Sequence, residues 1–357
     1  MFNERIESWL SRWGSGDAIN SIDDGLVSLA TDQGLRRKEN QDRLAAMRVN
    51  STSGKPFFVV ALADGMGGMR EGKACAEKAI SAFFQGLVEH RNAEPLARIK
   101  DAVHHSNKAV HEFLKGAGGA TLSAILLGSD HLPYIVNVGD SRIYGVEELN
   151  NTHVKRLTID DSLAEIAGGA GKDLIQFIGM GNGIQPHIMT LENTVYEVIL
   201  TTDGVHFIDE TMLFNIIRNE REPEELANKL IKVANWSGSP DNATVSVLNV
   251  HKLMLNLTGY VDSGIELFDP FGALHIIWVK PEDTRVNSAI DLNCLPTVRA
   301  PTKGDLDNED DPESVSLAQK SKRKGATPKA RKNKAKIKQL EIEIVTIDDL
   351  QQAKDSK

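Results

Sequence analysis

The residues of this chain most suited to chemistry are aspartates that stand at the ends of apolar runs. The run from Phe57 to Ala63 stops at Asp64, and three of the next four residues are glycines. A carboxylate and a bare carbonyl at the end of a buried strand are oxygen ligands of the kind that hard divalent cations prefer. Taken alone, an Asp-Gly pair after a strand is more typical of an ordinary turn.

The same pattern recurs further along the chain. Asp140 and Asp203 each follow an apolar run, and Asp241 comes just before one. In an antiparallel arrangement, the ends of some strands and the starts of others share one edge of a sheet. Carboxylates gathered there would repel one another and their pKa values would rise. Divalent cations would remove that penalty, so the sequence predicts a metal centre.

Six short motifs, in this order, resemble the metal-dependent serine/threonine protein phosphatases of the 2C type in their bacterial form. The motifs are Arg37-Lys-Glu-Asn-Gln-Asp42, Ala63-Asp-Gly-Met-Gly-Gly68, Gly119-Ala-Thr-Leu122, Val138-Gly-Asp-Ser-Arg142, Thr202-Asp-Gly204 and Pro240-Asp-Asn242. Each motif is common by itself, and the order makes the signal specific. The resemblance covers residues 22–252.

The resemblance implies a set of metal ligands. Asp64 would bridge two ions, the Gly65 carbonyl would be a further ligand, and Asp203 and Asp241 would complete the direct carboxylate set. Asp140 maps to an acid that helps to hold a third, more weakly bound ion in many bacterial members. Mn²⁺ or Mg²⁺ fits such an oxygen-only site, whereas Zn²⁺ would favour His or Cys.

The resemblance also implies residues that act on the substrate or behind the ligands. Arg37 would grip the substrate phosphate, because a guanidinium binds phosphate oxygens bidentately. Asp42 would lie close to the metals, and Asn242 would orient its neighbour. Gln41 stands where many members carry Glu, so it would touch the second ion only weakly or through water. Phe207 stands where members often carry an acid for the third ion, which leaves a third ion in question.

The implied reaction is hydrolysis of phosphoserine or phosphothreonine in proteins by a metal-activated water, without a phosphoenzyme. Met66 occupies the position of a histidine proposed as the general acid in eukaryotic members, so the proton donor stays unassigned. The implied partner is a phosphorylated protein, in opposition to a Ser/Thr kinase. The alternative is a catalytically weak pseudo-phosphatase that binds phosphoproteins or acts as a scaffold through its C-terminal tail.

The hydrophobic pattern supports a layered α+β fold. Apolar residues at helical spacing predict helices at 73–90, 96–115, 209–219 and 222–235, and a short one from Arg5 to Trp13. Apolar runs predict strands within 25–63 and at 120–127, 133–138, 142–146 and 153–157. Helices in pairs and strands in runs indicate α+β layers. We therefore expect the four-layer α-β-β-α sandwich of that family, with two mainly antiparallel sheets flanked by helices.

Composition suggests that the chain continues beyond the phosphatase-like part. We expect a phosphatase domain at 1–252, an extension with extra strands at 253–300, a disordered acidic-then-basic linker at 301–338 and a short tail, a candidate strand, at 339–357. Residues 320–338 hold ten Lys or Arg and no acid, a pattern typical of unfolded segments. This basic segment could dock to an acidic partner.

The remaining properties exclude several classes of protein. The net charge of −9 gives no global signal for nucleic-acid binding, and the basic segment lacks the aromatic residues that stack on bases. No secretory signal and no membrane-length apolar run are present in the sequence. Two widely separated cysteines indicate free thiols. We expect a cytoplasmic protein with no membrane contact.

Overall fold

The fold is described from a computed structural model that covers most of the chain up to residue 279. The described residues are 2–14, 16–50, 56–66, 69, 71–129, 131–148, 152–168, 173–257, 264–279 and 339–346. The helices are α1 (Phe2–Ser11), α2 (Gly72–Glu89), α3 (Pro95–Leu114), α4 (Leu163–Ala167), α5 (Glu210–Asn219), α6 (Pro223–Trp236) and α7 (Val250–Asn256).

The strands of the described residues alternate with these helices in groups. They are β1 (Asp17–Ile22), β2 (Val27–Asp32), β3 (Asp42–Asn50), β4 (Phe57–Asp64), β5 (Leu122–Gly128), β6 (His131–Val138), β7 (Arg142–Glu148), β8 (Thr152–Arg156), β9 (His187–Thr190), β10 (Val195–Thr201), β11 (Ala243–Asn249), β12 (Gly264–Asp269), β13 (Gly272–Val279) and β14 (Gln339–Thr346). The predicted strands and paired helices are present, with ends shifted by a few residues at most.

The described strands form two sheets. The six-stranded sheet has the order β1-β2-β11-β10-β7-β8, and the eight-stranded sheet has the order β14-β13-β12-β3-β4-β5-β6-β9. Neighbouring strands pair antiparallel, except for the parallel pair β13–β14. The predicted pair of mainly antiparallel sheets is confirmed.

Three apolar layers separate the sheets and helices into a four-layer sandwich. Alternate residues of β4 face different layers: Val59 packs toward α1, α2 and α3, whereas Val60 packs toward the other sheet. In β10, Val198 lies between the sheets and Ile199 lies under α5 and α6. Because both faces of these central strands are covered, their sequences read as continuous apolar runs.

The helices α2 and α3, which cover the eight-stranded sheet, approach each other closely where they cross. A Cβ on Gly86 would stand 2.7 Å from the Cα of Ala102, so a glycine is required where the two helices cross. Pro95 opens α3, where its missing N–H costs no intrahelical hydrogen bond. The predicted helices at 73–90 and 96–115 thus match α2 and α3 to within a residue.

The first helix ends earlier than the sequence predicts. Trp9 lies in α1, but the helix stops at Ser11 and Trp13 lies beyond it. Both indoles are buried, as the predicted packing on the domain requires. The helix ends because Arg12 and Trp13 turn their side chains to Asp269, which accepts hydrogen bonds from both.

The segment after residue 250 differs in part from the predicted run of extra strands. Residues 253–256 belong to helix α7, whose first turn is capped by the Asn249 side chain accepting from the Lys252 N–H. The hairpin β12–β13 then adds to the eight-stranded sheet beside β3, and β14 pairs with β13. The acidic-then-basic linker predicted at 301–338 lies outside the described residues.

The cysteines and the apolar character of the helices bear on two further expectations from the sequence. Cys75 is a buried free thiol, and Cys294 lies outside the described part of the chain. Among the described helices, none combines the length and the apolar character that a membrane crossing requires.

A buried acid in the six-stranded sheet predicts a pH dependence of stability. Glu197 of β10 is 3% exposed, and burial raises its pKa from 4.5 to about 7, with Arg221 opposing only in part. The native state therefore holds this proton more tightly than the unfolded state does. The contribution of Glu197 to the free energy of unfolding is therefore fully present below pH 4.5 and is lost as the pH rises through about 7.

Glu197→Gln should therefore stabilise the protein at pH 8 by up to about 3 kcal/mol and change little at pH 5. Urea unfolding of the variant and of the parent at both pH values measures the difference. Glu192→Gln, at an exposed carboxylate, is the matched control. An equal effect of Glu197→Gln at the two pH values would contradict the assignment.

Candidate metal centre

Asp42 and Asp64 face each other across two neighbouring strands. Asp42 begins β3, Asp64 ends β4, and the antiparallel register makes them direct Cα partners. The backbone of Asp64 is held by Thr121, whose N–H donates to the Asp64 carbonyl at 2.9 Å and whose hydroxyl accepts from the Asp64 N–H at 2.9 Å. The strand end that carries the central carboxylate is therefore fixed on both sides.

Asp203 and Asp241 reach the same place from the other sheet. Asp203 follows β10, and Asp241 precedes β11, which pairs antiparallel with β10. Beyond the strands, the Thr202 N–H donates to the Thr244 carbonyl at 3.1 Å. A Cβ on Gly204 would lie 1.8 Å from the Asn242 carbonyl oxygen, so the two loops cross at a distance that only glycine permits.

The other aspartates lie close enough to Asp64 to affect its ionisation. The pKa of Asp64 is raised well above its usual value, first by burial and then by Asp42, Asp203, Asp241 and Asp140. Part of the Asp64 residue reaches the surface, but its carboxyl group lies among protein atoms. The sequence prediction that acids far apart in the chain converge is thus supported by their mutual interaction.

Asp42 is the most deeply buried member of this group. It is 1% exposed, and burial raises its pKa to about 7, with further contributions from Asp241 and Asp203. Hydrogen bonds from Thr244 and from Thr202, whose Oγ1 lies 3.0 Å from Oδ2, act in the opposite direction. The carboxyl group is therefore held by hydroxyl donors at a fixed position behind Asp64.

Arg37 lies at the exposed side of the same cluster. Its guanidinium donates to Asp241 Oδ2 at 2.5 Å, and its side chain is 39% exposed. This ion pair joins Arg37, the predicted phosphate-binding residue, to Asp241, a predicted metal ligand. The guanidinium thus stands where it can meet an anion that arrives at the aspartates.

Asn242 holds the loop that carries Arg37. Its Nδ2 donates to the carbonyls of Gln33 and Glu39 at 2.8 and 3.0 Å, and its Oδ1 accepts from the Gln41 N–H at 2.9 Å. The Asn242 N–H also donates to Asp241 Oδ1 at 2.9 Å. The backbone N–H of Asn242 thus contacts Asp241, and its side chain fixes the neighbouring loop, which the sequence did not indicate; its role in orienting Asp241 stays a prediction.

The other predicted positions lie around this cluster. Gly65 approaches α2 so closely that a Cβ would stand 2.2 Å from the Gly72 carbonyl oxygen. Gln41 directs its amide to Glu39 at 3.1 Å. Phe207 is 48% exposed. Gly67 and Gly68 of the same motif lie outside the described residues.

The sequence reading missed a set of buried hydroxyl and amide groups beneath the acids. Asn40 Oδ1 accepts from the Asp42 N–H at 3.0 Å, and its Nδ2 donates to Thr31 Oγ1 at 2.8 Å. Thr31 and Thr244 then join through their hydroxyls at 2.8 Å. Threonines within otherwise apolar strands could have indicated this network, because a buried hydroxyl group needs a hydrogen-bond partner.

The donor set fits a hard divalent cation. Its side-chain donors are carboxylates, which are the ligands that Mn²⁺ and Mg²⁺ take in proteins. In the described residues, no three His, Cys, Asp or Glu side chains are already drawn together around one point. Repulsion among carboxylates spreads such a group, and Asp241 is turned to Arg37. A cation would replace that contact and draw the acids inward.

Comparison with known proteins gives a family match over the same segment. The family model described as protein phosphatase 2C matches residues 35–244, which is more than half of the chain. This range includes Arg37, Asp42, Asp64, Asp203 and Asp241. It leaves out α1, β1, β2 and everything from β12 onward.

Two curated relatives illustrate the similarity. The chain is 29% identical over 241 residues to the serine/threonine protein phosphatase PstP of Mycobacterium tuberculosis, covering 62% of this chain and 44% of the relative. It is 28% identical over 247 residues to a putative protein phosphatase 2C-type of Streptococcus pyogenes, covering 62% of this chain and 96% of the relative. The chain thus spans less than half the length of the mycobacterial relative.

Solved structures show the same architecture. The PPM Ser-Thr phosphatase MsPP from Mycobacterium smegmatis, in complex with cacodylate, is 25% identical with a TM-score of 0.50 and covers 63% of this chain and 97% of that chain. The serine/threonine phosphatase Stp1 from Staphylococcus aureus is 18% identical with a TM-score of 0.53, and the match covers 67% of this chain and 98% of that chain. At this identity the match supports the fold alone.

The repulsion around Asp64 predicts how its neutralisation affects stability. Because its native pKa is raised, ionised Asp64 costs stability as pH rises above the unfolded value near 4. Asp64→Asn should therefore raise the melting temperature of the metal-free protein at pH 8, with a smaller rise at pH 5. It should also abolish the increase in melting temperature that Mn²⁺ gives the parent.

Thermal unfolding with and without Mn²⁺, in a chelator-treated buffer, tests both effects. Asp101→Asn, at an exposed acid of α3, serves as the control and should leave the Mn²⁺ effect intact. A Mn²⁺ response of Asp64→Asn equal to that of the parent would show that Asp64 does not hold the cation.

Proposed function

Because the chain belongs to the protein phosphatase 2C family, we propose that it hydrolyses phosphoserine and phosphothreonine in proteins with the help of Mn²⁺ or Mg²⁺. The observation that carries this proposal is the set of aspartates that act on the Asp64 carboxyl from both sheets. Phosphoryl transfer depends mainly on positioning and on charge neutralisation, and a dense group of carboxylates supports both by holding cations.

In this proposal, Asp64, Asp203 and Asp241 hold two ions, with the Gly65 carbonyl as a further ligand. Asp64, which interacts with every other acid of the group, would be the carboxylate that the two ions share. Asp140, which also acts on Asp64, would help to hold a third ion. The chemistry that bound Mn²⁺ or Mg²⁺ supplies at such a site is activation of water and neutralisation of phosphoryl charge.

Arg37 binds the phosphate of the substrate. Its guanidinium pairs with Asp241 in the present structure. A cation held by Asp241 would compete with that pair, and the exposed guanidinium would then be able to turn to the incoming phosphate. A planar fork donates two parallel hydrogen bonds to phosphate oxygens and stabilises charge that develops there.

Asp42, Gln41 and Asn242 support the ligands. Thr202 and Thr244 hold Asp42 at the buried end of the cluster by hydrogen bonds to its carboxyl group, and there it lies opposite Asp64 across the strand pair. Gln41 and Asn242 hold the Arg37 loop at its distance from Asp241. Outer partners of this kind commonly change metal affinity or activity by about 10- to 100-fold.

The pseudo-phosphatase alternative is not retained. It rested on Gln41 and Phe207, which stand where other members carry acids, but the carboxylates of Asp42, Asp140, Asp203 and Asp241 all still act on Asp64. The relatives that match the chain are named as phosphatases. We propose that the substrate is a protein phosphorylated by a Ser/Thr kinase, and that the reaction takes place in the cytoplasm. We also propose that the basic segment 320–338 docks to an acidic partner.

Removal of a ligand should separate catalysis from folding. Asp203→Asn should lower the Mn²⁺-dependent turnover of p-nitrophenyl phosphate and of a phosphothreonine peptide by about 100-fold or more. EDTA should give a similar loss in the parent, with recovery on addition of Mn²⁺. Asp173→Asn, at an exposed acid outside the group, should retain parental turnover. Metal-independent activity of the parent would exclude the proposed chemistry.

The role of Arg37 has a natural control in its neighbour. Arg37→Ala should lower kcat/KM for the phosphopeptide by about 10- to 100-fold, because hydrogen bonds to charged groups contribute about 1.5–3 kcal/mol. Arg36→Ala removes an equally exposed guanidinium from the adjacent position and should cost less than about threefold. Steady-state kinetics with saturating Mn²⁺ measures both, and equal losses would contradict a specific phosphate contact of Arg37.

A further inference from the structure

The tip of the β12–β13 hairpin is joined to the N-terminal segment by a buried carboxylate. Asp269 is 0% exposed and accepts from both Arg12 Nη atoms, at 2.5 and 3.1 Å, and from Trp13 Nε1 at 2.8 Å. Its Oδ1 also accepts from the backbone N–H groups of Phe271 and Gly272. The carboxylate therefore sets both the turn of the hairpin and the position of the Trp13 ring.

Trp13 in turn lies against an arginine from the centre of the sheet. The guanidinium carbon of Arg43 lies 4.7 Å from the Trp13 ring centroid, within the range of a cation–π contact. On the hairpin side, the Phe271 ring packs on Trp13 at 5.2 Å between centroids. The indole is thus held between the hairpin tip and Arg43.

Arg43 holds the backbone on both sides of the Asp42 amide. Its Nη1 donates to the carbonyls of Asn40 and Asp42 at 3.0 and 2.6 Å, and its Nη2 donates to Glu77 of α2 at 2.6 Å. Its side chain is 0% exposed. A buried guanidinium keeps such a position only where its partners are fixed, because an unpaired buried charge is strongly destabilising.

We propose that Arg43 is a positioning residue of the metal centre, and that Asp269 and Trp13 hold it in place. The inference rests on the proposed function, since it concerns the cations that the aspartates hold. Three contacts in sequence, Asp269 to Trp13, Trp13 to Arg43 and Arg43 to the Asp42 backbone, connect the hairpin to the site. The hairpin and the segment after α1 that carries Arg12 and Trp13 lie outside the family match at 35–244, and in this proposal they support the metal centre.

The Trp13 ring fills the space beside the Arg43 guanidinium and so limits its movement. If the Trp13 ring is lost, the Arg43 guanidinium can withdraw from the carbonyls of Asn40 and Asp42. The Asp42 carboxyl would then lose its alignment with Asp64 across the strand pair. Loss of an outer partner of a metal site typically weakens metal binding by about 10- to 100-fold.

A matched contact on the same hairpin separates this role from simple support of the fold. Glu266 of β12 accepts from Arg48 at 2.7 Å, and Arg48 also pairs with Asp23. Glu266→Gln therefore weakens an ion pair between β12 and β3 without touching Trp13 or Arg43. It should lower thermal stability but leave the affinity for Mn²⁺ unchanged.

The test is isothermal titration of the full chain with Mn²⁺, with thermal unfolding recorded in the same buffer. Trp13→Leu should weaken Mn²⁺ binding by about tenfold or more. Trp13→Phe keeps a ring over Arg43 but loses the Nε1 hydrogen bond to Asp269, so it should weaken Mn²⁺ binding less than Trp13→Leu does, by about threefold. Parental affinity in folded Trp13→Leu, or equal weakening in Glu266→Gln, would overturn the proposal.

Arg43→Lys provides a second, independent variant. Lys keeps the charge but cannot contact two carbonyls and Glu77 with a planar fork, so Mn²⁺ affinity should fall about tenfold. If Trp13→Leu does not fold, this variant decides: a parental affinity overturns the proposal. If the parent itself binds no Mn²⁺, the proposed function fails instead, so the two failures are distinguishable.

Discussion

Mutual repulsion among buried carboxylates is the constraint on which this structure depends. The pKa of the Asp64 carboxyl is raised first by burial and then by Asp42, Asp203, Asp241 and Asp140, which come from distant parts of the chain. A folded protein tolerates such repulsion only when another interaction offsets its free-energy cost. Binding of divalent cations to the carboxylates is the interaction best suited to do so. We therefore expect a bound cation to stabilise the protein by offsetting the repulsion around Asp64.

The two sheets hold the acids despite this cost. β3 and β4 fix one pair through their register, and β10 and β11 fix another through a loop crossing that requires Gly204. Beneath them, the hydroxyls of Thr202 and Thr244 bind the Asp42 carboxyl. Apolar layers on both sides of each central strand hold the strand ends in place, so repulsion can turn the acidic side chains but does not separate the strands.

The sequence allowed the acids and the layered fold to be predicted, because each is a local signal. Asp64 ends an apolar run, and helical spacing marks α2 and α3. The contacts of Asn40 with Thr31, and of Arg43 with Trp13, could not be predicted, because they join residues whose partners depend on strand register and packing. The place of β12 beside β3 is similarly set by pairing across more than 200 residues.

The most direct test of a shared cation site is a crystal structure of the protein soaked in Mn²⁺, with anomalous scattering recorded at the manganese edge. We expect two anomalous peaks, both within coordination distance of Asp64 and flanked by Asp203 and Asp241, with Arg37 turned away from Asp241. Peaks elsewhere, or none between these three aspartates at saturating Mn²⁺, would contradict the central claim.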